Sequence, residues 1–520
     1  MSTLVPRPPY TDVELAALYP PQLRLQQVQI LLRHGERTPV NPRFANAGLT
    51  PFWPYCSAVR QLRNSLLDPD ALVHPFSVLE WKRRLETTSP HDDGPLTAAG
   101  PDGQVDDICD MGMLTDRGRE TTYRLGQRLR SLYVDRLGFL PAALHETDSD
   151  LIHLRSTAVP RAVESLQQVL HGLYPPHTRA ENLPPLTIVS RILAEETLFP
   201  NEYHCRRFAL LARAFAHRAA KRWNDTDDMA YLTRKLGKWM PVDGSSHDDT
   251  NQGPRAPRVA VDSHPRLSGI MDTINSTAAH GPATRLPREF YDPKVKQIME
   301  RIAVEEWFAG YEESEEYRTL GIGALLGDIV QRMVESSSSS SSTDNAAAAH
   351  APPRPRLRLS GCHDTTIAGT LASLGALDRD AWPPFTSHIA IELFQHRAET
   401  ETEIVKTTVG GGNTSWWSQT PSLVVSSSRD EIGRTPTAEL GEAQKRRLQG
   451  WYVRVRYNDR AVRIPGCGAV GRHLDGDASF CTLLAFKTIV DKFTPQDWKQ
   501  QCRTNLGGLA FPAEGQGAGR

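Results

Sequence analysis

The sequence predicts an α/β fold: a central, mainly parallel sheet flanked by helices, with a helical cap inserted into it. Three observations lead there. An apolar run through Leu23, Leu25, Val28, Ile30 and Leu32 ends in the polar loop Arg33-His34-Gly35-Glu36-Arg37-Thr38-Pro39. A second run, Leu151 to Leu154, and a third, around Leu357 and Leu359, also reach polar loops and continue as helices. Between them, from Glu195 to about Leu320, the chain reads as helix with charged faces. Strand, loop and helix in repetition build parallel sheets, whose sites form at the carboxyl ends of the strands.

The 520 residues suffice for a large α/β unit with insertions. Sixty basic and 61 acidic side chains cancel to a formal charge of −1, which gives no support for a nucleic-acid binder. The mean hydropathy of −0.44 goes with 38 prolines and much loop. No apolar run of about 18 residues is present to span a bilayer, so membrane contact is at most peripheral. Met1 to Tyr19 is Pro-rich, carries Asp12 and Glu14, and lacks both the profile of a secretory signal and that of a transit peptide. Seven thinly spread cysteines suggest neither a disulfide framework nor a zinc site. An intracellular, mostly reduced chain is expected, cytoplasmic by preference with a mitochondrial site as the alternative.

Residues 1–22 read as a tail. The first strand then delivers two guanidiniums around one imidazole: Arg33 and Arg37 suit a phosphate dianion that His34 could attack. Residues 41–113 form a long excursion without periodicity, either a wall of the pocket or a variable surface insertion. Leu114-Thr115-Asp116-Arg117-Gly118 opens a helix with apolar positions at three- and four-residue spacing and is taken as structural. The strand Asp150 to Leu154 carries Arg155 at its end, and Arg161, six residues on, is expected to face helix and solvent.

The core is expected over 23–195 and 317–502, with a helical cap insertion over 196–316. Within the cap, 242–287 is rich in Pro, Gly, Ser and Asp and is expected to be flexible. The helix from Tyr317 to Val334 leads into Ser336–Ser342 and Ala346–Ala349, so 335–356 reads as a low-complexity linker. The third strand ends in Ser360-Gly361-Cys362-His363-Asp364-Thr365-Thr366. Asp364 there is either a capping acid or part of a site. After the strand around Ile389 to Leu393 comes a polar insertion, 399–446. Tyr452 to Tyr457 alternates as an edge or outer strand, Cys467 and Cys481 flank a loop, and 503–520 reads as a second tail.

Arg33-His34-Gly35-Glu36-Arg37-Thr38-Pro39, Arg155-Ser156-Thr157 with Arg161, and His363-Asp364 occur in the order found in the histidine acid phosphatase family, which the chain resembles over roughly 23–206 and 317–502. That resemblance implies a phosphoglycerate mutase-like fold and hydrolysis of small phosphate monoesters through a phosphohistidine on His34. It further implies that Arg33, Arg37, Arg155 and His363 hold the phosphate and that Asp364 protonates the leaving oxygen. The scheme calls for no metal or other cofactor. Glu195-Glu196-Thr197-Leu198-Phe199-Pro200-Asn201 followed by Cys205, Trp382-Pro383-Pro384-Phe385, and Ile464-Pro465-Gly466-Cys467 most resemble the lysophosphatidic acid phosphatase branch. Secreted relatives tend to join cysteines placed like Cys467 and Cys481, a bond unexpected in a reducing compartment. A phytase, a phosphoglycerate mutase and a catalytically idle phospho-ligand binding module are the competing readings. The acid beside the second histidine favours hydrolysis over mutase chemistry.

Overall fold

The computed structural model describes residues 2–58, 62–67, 76–81, 83–89, 91–241, 257–338, 354–397 and 431–520. Its strands are β1 (Leu23–Arg33), the hairpins β2 (Leu62–Leu67)/β3 (Phe76–Trp81) and β4 (Glu86–Thr88)/β5 (Pro95–Thr97), β6 (Ile152–Ser156), β7 (Ile188–Val189), β8 (Leu357–Cys362), β9 (His388–His396), β10 (Trp451–Tyr457), β11 (Arg460–Ala461), β12 (His473–Leu474) and β13 (Asp477–Thr482). The main sheet runs β12-β13-β10-β9-β1-β8-β6-β7, with β11 beside β10. Its β1, β8, β6 and β7 are parallel, whereas β9 joins β1 antiparallel and opens an antiparallel half. The parallel strands carry the site.

Alternation along β1 sends Val28, Ile30 and Leu32 to one face, against α2 (Asp116–Arg130) and α3 (Pro160–Leu173). The opposite face is covered by α9 (Ala324–Ser338), α10 (Asp364–Ser373) and α11 (Leu483–Asp491), with Leu31, Leu326, Ile367 and Phe486 in one apolar cluster. Gln27 and Gln29 also point to this face, where both donate to main-chain carbonyls of α9.

Between α3 and β8 the chain forms α4 (Arg206–Trp223), α5 (Asp227–Leu236), α6 (Leu267–Ala278), α7 (Pro293–Glu313) and α8 (Glu315–Arg318). A separate apolar cluster holds Leu232, Ile270, Ile274 and Ile298 together with Phe44, Leu49 and Trp53, so the start of the 41–113 excursion packs into the helical region. Contrary to the flexible segment expected over 242–287, residues 257–287 are folded around α6, with Val259, Val261, Leu267 and Ile270 buried. The apolar residues were present, but helix α6 is short and its stripe is diluted by Ser, Gly, Asp and Thr. Residues 242–256 lie outside the described residues.

Several other expectations change. Helix α9 runs to Ser338, and Ser336 accepts a 2.8 Å bond from Gln27, so the first serines of the tract belong to the core; 339–353 lie outside the described residues. Of the 399–446 insertion, 399–430 lie outside the described residues, while Ile432 and Leu440 are buried in the core. Strand β10 is interior, between β9 and β13; its Arg454 and Arg456 are buried because Glu392 and the Tyr133 hydroxyl meet their charges from within. Neither tail is loose: α1 (Asp12–Leu18) lies in the first, Leu4 donates to the Phe385 carbonyl, and Gly519 donates to that of Ser373.

Six of the seven cysteines pair as Cys56–Cys109, Cys205–Cys502 and Cys467–Cys481, leaving Cys362 as the buried thiol. This corrects the reading that no disulfide framework exists. Separations of 53 and 297 residues hide two of the pairs from any inspection of spacing. No helix among the described residues is long and apolar enough to cross a membrane.

Candidate active site

Parallel pairing of Arg33 with Cys362 places the next residue of each strand, His34 and His363, side by side beyond the sheet, with ring centroids 5.6 Å apart. The His34 amide donates to the Cys362 carbonyl at 3.1 Å. On the other side of β8, Ser156 pairs with Gly361, and Thr157 beyond it sets its hydroxyl 3.1 Å from His363 Nε2.

The loop after β1 is held by the first turn of α2. Thr38 donates to Met113, Thr115 donates to Glu36, and Gly112 donates to Pro39, a short ladder that closes the base of the 41–113 excursion. Glycine is required at the crossing: a Cβ on Gly35 would lie 2.3 Å from the Gly118 carbonyl oxygen. The structural role expected for the Leu-Thr-x-x-Gly stretch is this close approach, with Thr115 as the N-cap of α2.

His34 is 1% exposed, and its Nδ1 lies 2.8 Å from the Gly35 carbonyl oxygen. A carbonyl only accepts, so Nδ1 carries the proton and Nε2 keeps its lone pair. Burial, reinforced by Arg161, Arg37 and Arg33, lowers the imidazole pKa well below its ordinary value. His34 is therefore a neutral base with a free nitrogen among guanidiniums. His363 is pushed down to about 3, again by burial first and Arg161 next, with Asp364 opposing.

The arginines divide differently from expectation. Arg33 pairs with Asp364 at 2.7 Å, donates to the Pro383 carbonyl, and stacks its guanidinium 4.2 Å from the centre of the Phe385 ring. Arg37 pairs at 2.8 Å with Asp272, a residue of α6. Arg155 turns away: it pairs at 2.7 Å with Glu196, which is fully buried, and donates to Thr197. Arg161, expected to face helix and solvent, lies near the two histidines instead. Its charge acts on both imidazoles more than any other, and burial with the neighbouring Arg37 lowers its own pKa to about 10. Its hydrogen bond to protein is a long one, 3.4 Å to the Gly112 carbonyl, and its Nε has no partner among the described residues. The signal was available: α3 starts at Pro160, so Arg161 lies in the first helical turn above the strand ends. Arg155 is still within β6, on the face toward the Glu196 loop.

Asp364 is the first residue of α10, and His363, not Asp364, is the N-cap. Its Oδ2 accepts from Trp382 Nε1 at 3.1 Å as well as from Arg33. Burial favours its neutral form, but Arg33 and Arg37 outweigh this and hold the carboxyl below its ordinary range. Beside it, a cavity of about 380 Å³ is lined by Thr365, Phe199, Phe208, Trp307, Phe308 and Tyr311, among others. The Phe199 ring also meets the His363 ring edge-on at 5.9 Å. Asp272, Trp382 and Phe385 were not singled out as site residues; Asp272 lay in the segment read as flexible, and an acid reaching in from another element leaves no local pattern.

Residues 24–409 match the family described as histidine phosphatase superfamily (branch 2). A probable acid phosphatase of Schizosaccharomyces pombe is 35% identical over 485 residues, 93% of this chain and 95% of that one. Lysophosphatidic acid phosphatase type 6 of Homo sapiens is 23% identical over 376 residues, 72% and 74% of the two chains. Among solved structures, the phytase from Citrobacter braakii superposes with a TM-score of 0.50 at 13% identity, covering 92% of this chain and 99% of that one, a likeness of fold.

Proposed function

Because the chain belongs to branch 2 of the histidine phosphatase superfamily, we propose that it is an acid phosphatase that hydrolyses phosphate monoesters through a phosphohistidine on His34. The observation that carries the mechanism is the state of His34, neutral and with Nε2 unprotonated, next to three guanidiniums. Arg33, Arg37 and Arg161 hold the phosphate, and His363 contributes a further contact. Nε2 attacks phosphorus in line while the arginines carry the charge that builds on the oxygens.

Asp364 is held ionised beside Arg33. An arriving phosphate competes for that guanidinium and sets its own negative charge beside the carboxyl, and both changes raise the acid's pKa. A monoester has a second pKa of about 6, so in acid the substrate or solvent supplies the proton that Asp364 passes to the leaving alkoxide. The resulting carboxylate can then take a proton from the water that attacks the phosphohistidine. Retention of hydrolysis and of phosphoenzyme in His34→Ala, followed by acid-stable and acid-labile phosphate after rapid quench, would overturn the assignment.

The aromatic cavity beside Thr365 supports an alcohol with an apolar arm. Lysophosphatidate has one, and the name of the human relative points the same way; peripheral contact with a lipid surface is part of this reading. Comparing kcat/KM for lysophosphatidate and glycerol phosphate tests it, with an expected preference for the acylated ester. The three disulfides favour maturation in an oxidising compartment over the reduced intracellular setting expected from composition.

A further inference from the structure

Helix α6 brings one carboxylate to the phosphate site. Asp272 Oδ1 lies 2.8 Å from Arg37, and Oδ2 accepts from the Val40 amide at 3.2 Å and stands 3.8 Å from Arg43. Its side chain is 15% exposed, so it is fixed at the wall of the site, not turned to bulk solvent. Its charge is also felt by Arg33 and Arg161. The groups that act on one another here are four guanidiniums, Arg33, Arg37, Arg43 and Arg161, and two carboxylates, Asp272 and Asp364. Both histidines are neutral. Before a substrate binds, two positive charges remain, equal and opposite to the charge of one phosphate dianion.

We propose that Asp272 is a specificity-determining residue that fits this site to alcohols bearing a single phosphate and rejects polyphosphorylated ones. The proposal rests on the reading of the centre as a monoester phosphatase. Once one phosphate occupies Arg33, Arg37 and Arg161, with Arg43 beside Asp272, each of these four guanidiniums has an anionic partner, and a second phosphate on the same alcohol finds no unspent cation among them. On the α6 side it meets the Asp272 carboxylate, a like charge that has already taken Arg37 and Arg43 as partners. Like charges brought together in a partly buried site cost enough to exclude a substrate that would otherwise gain contacts, which is discrimination by repulsion. The acid also positions Arg37, so its replacement is expected to lower activity on every substrate; selectivity, not rate, is the readout.

The test is a ladder of inositol mono-, bis- and hexakisphosphate, in which the alcohol stays the same and only the number of phosphates changes. For the unmodified chain, kcat/KM should fall along the ladder. Asp272→Asn keeps the shape and removes the charge, and should raise the hexakisphosphate-to-monophosphate ratio of kcat/KM by about tenfold or more. Asp272→Glu keeps the charge and should keep the low ratio. A ratio unchanged in Asp272→Asn, or an unmodified chain that prefers the hexakisphosphate, overturns the proposal, and the second result needs no variant to fold. Failure of the underlying reading looks different: no hydrolysis of p-nitrophenyl phosphate and no phosphoenzyme from any substrate.

Discussion

Replacing Arg161 by alanine, and separately Arg155, distinguishes a side chain that holds phosphate from one that holds the protein together. Arg161 has one long hydrogen bond to a carbonyl, and its loss removes repulsion with Arg37 and Arg33 together with the offsetting attraction of Asp364 and Asp272. Arg161→Ala should leave the melting temperature unchanged or slightly raised. A charge-assisted bond to phosphate contributes roughly 1.5–3 kcal/mol. At about 1.4 kcal/mol per decade, kcat/KM should then fall by about one to two decades or more. Arg155→Ala leaves the fully buried Glu196 carboxylate with the Thr197 and Leu198 amides but without its ion-pair partner, a loss for which a cost of up to roughly 3–5 kcal/mol is ordinary. That variant should melt well below the parent, while the protein that remains folded keeps most of its kcat/KM. The assay is steady-state hydrolysis of p-nitrophenyl phosphate at a temperature where both variants are folded, paired with thermal melting. The reasoning is refuted by the opposite pattern: a stable Arg155→Ala with crippled kinetics beside a kinetically intact Arg161→Ala.

In Asp364→Asn, phosphoenzyme formation followed by rapid quench should fall steeply for an alkyl phosphate and much less for p-nitrophenyl phosphate, whose leaving group departs as an anion; equal losses would remove Asp364 from the acid role. Glu306, buried on α7 beside Arg266, has its pKa pushed up by burial to about 7. A carboxyl raised above its unfolded value contributes stability that is present in acid and is lost as pH rises towards and through 7. The melting temperature should decline over about pH 5 to 8 by an amount worth roughly 1–3 kcal/mol, and Glu306→Gln should flatten that decline. Thiol titration of the denatured, unreduced chain should find one reactive group, Cys362, and seven after reduction; seven before reduction would remove the disulfides and the compartment inferred from them.

The strand ends that bring His34 and His363 together were legible because two periodic apolar runs stop at chemically distinctive loops. Which of Arg155 and Arg161 stands near the two histidines was not, because that depends on where strand β6 gives way to helix α3, a matter of a few residues. Asp272 and the folded 257–287 were hidden for a different reason: both owe their place to packing against Phe44, Leu49 and the loop after β1, which are distant in sequence. Tyr452 to Tyr457 read as an edge or outer strand for want of any sign in sequence that Glu392 waits inside the sheet to pair with Arg454 and Arg456.

The ladder between 36–39 and 112–115 gives the molecule something like a socket. Its two chain ends are clamped beside the catalytic loop before the excursion leaves, and they return to the first turn of a helix that cannot shift without striking Gly35. A loop whose ends are already fixed is cheap to lengthen, about 0.6 kcal/mol for each doubling. The stretch between Cys56 and Cys109, beyond the buried Phe44, Leu49 and Trp53, can thus be lengthened or exchanged while the phosphate chemistry beneath it stays in register. A chimera carrying a foreign excursion on these same stubs would show how far substrate choice can be moved without touching a catalytic side chain.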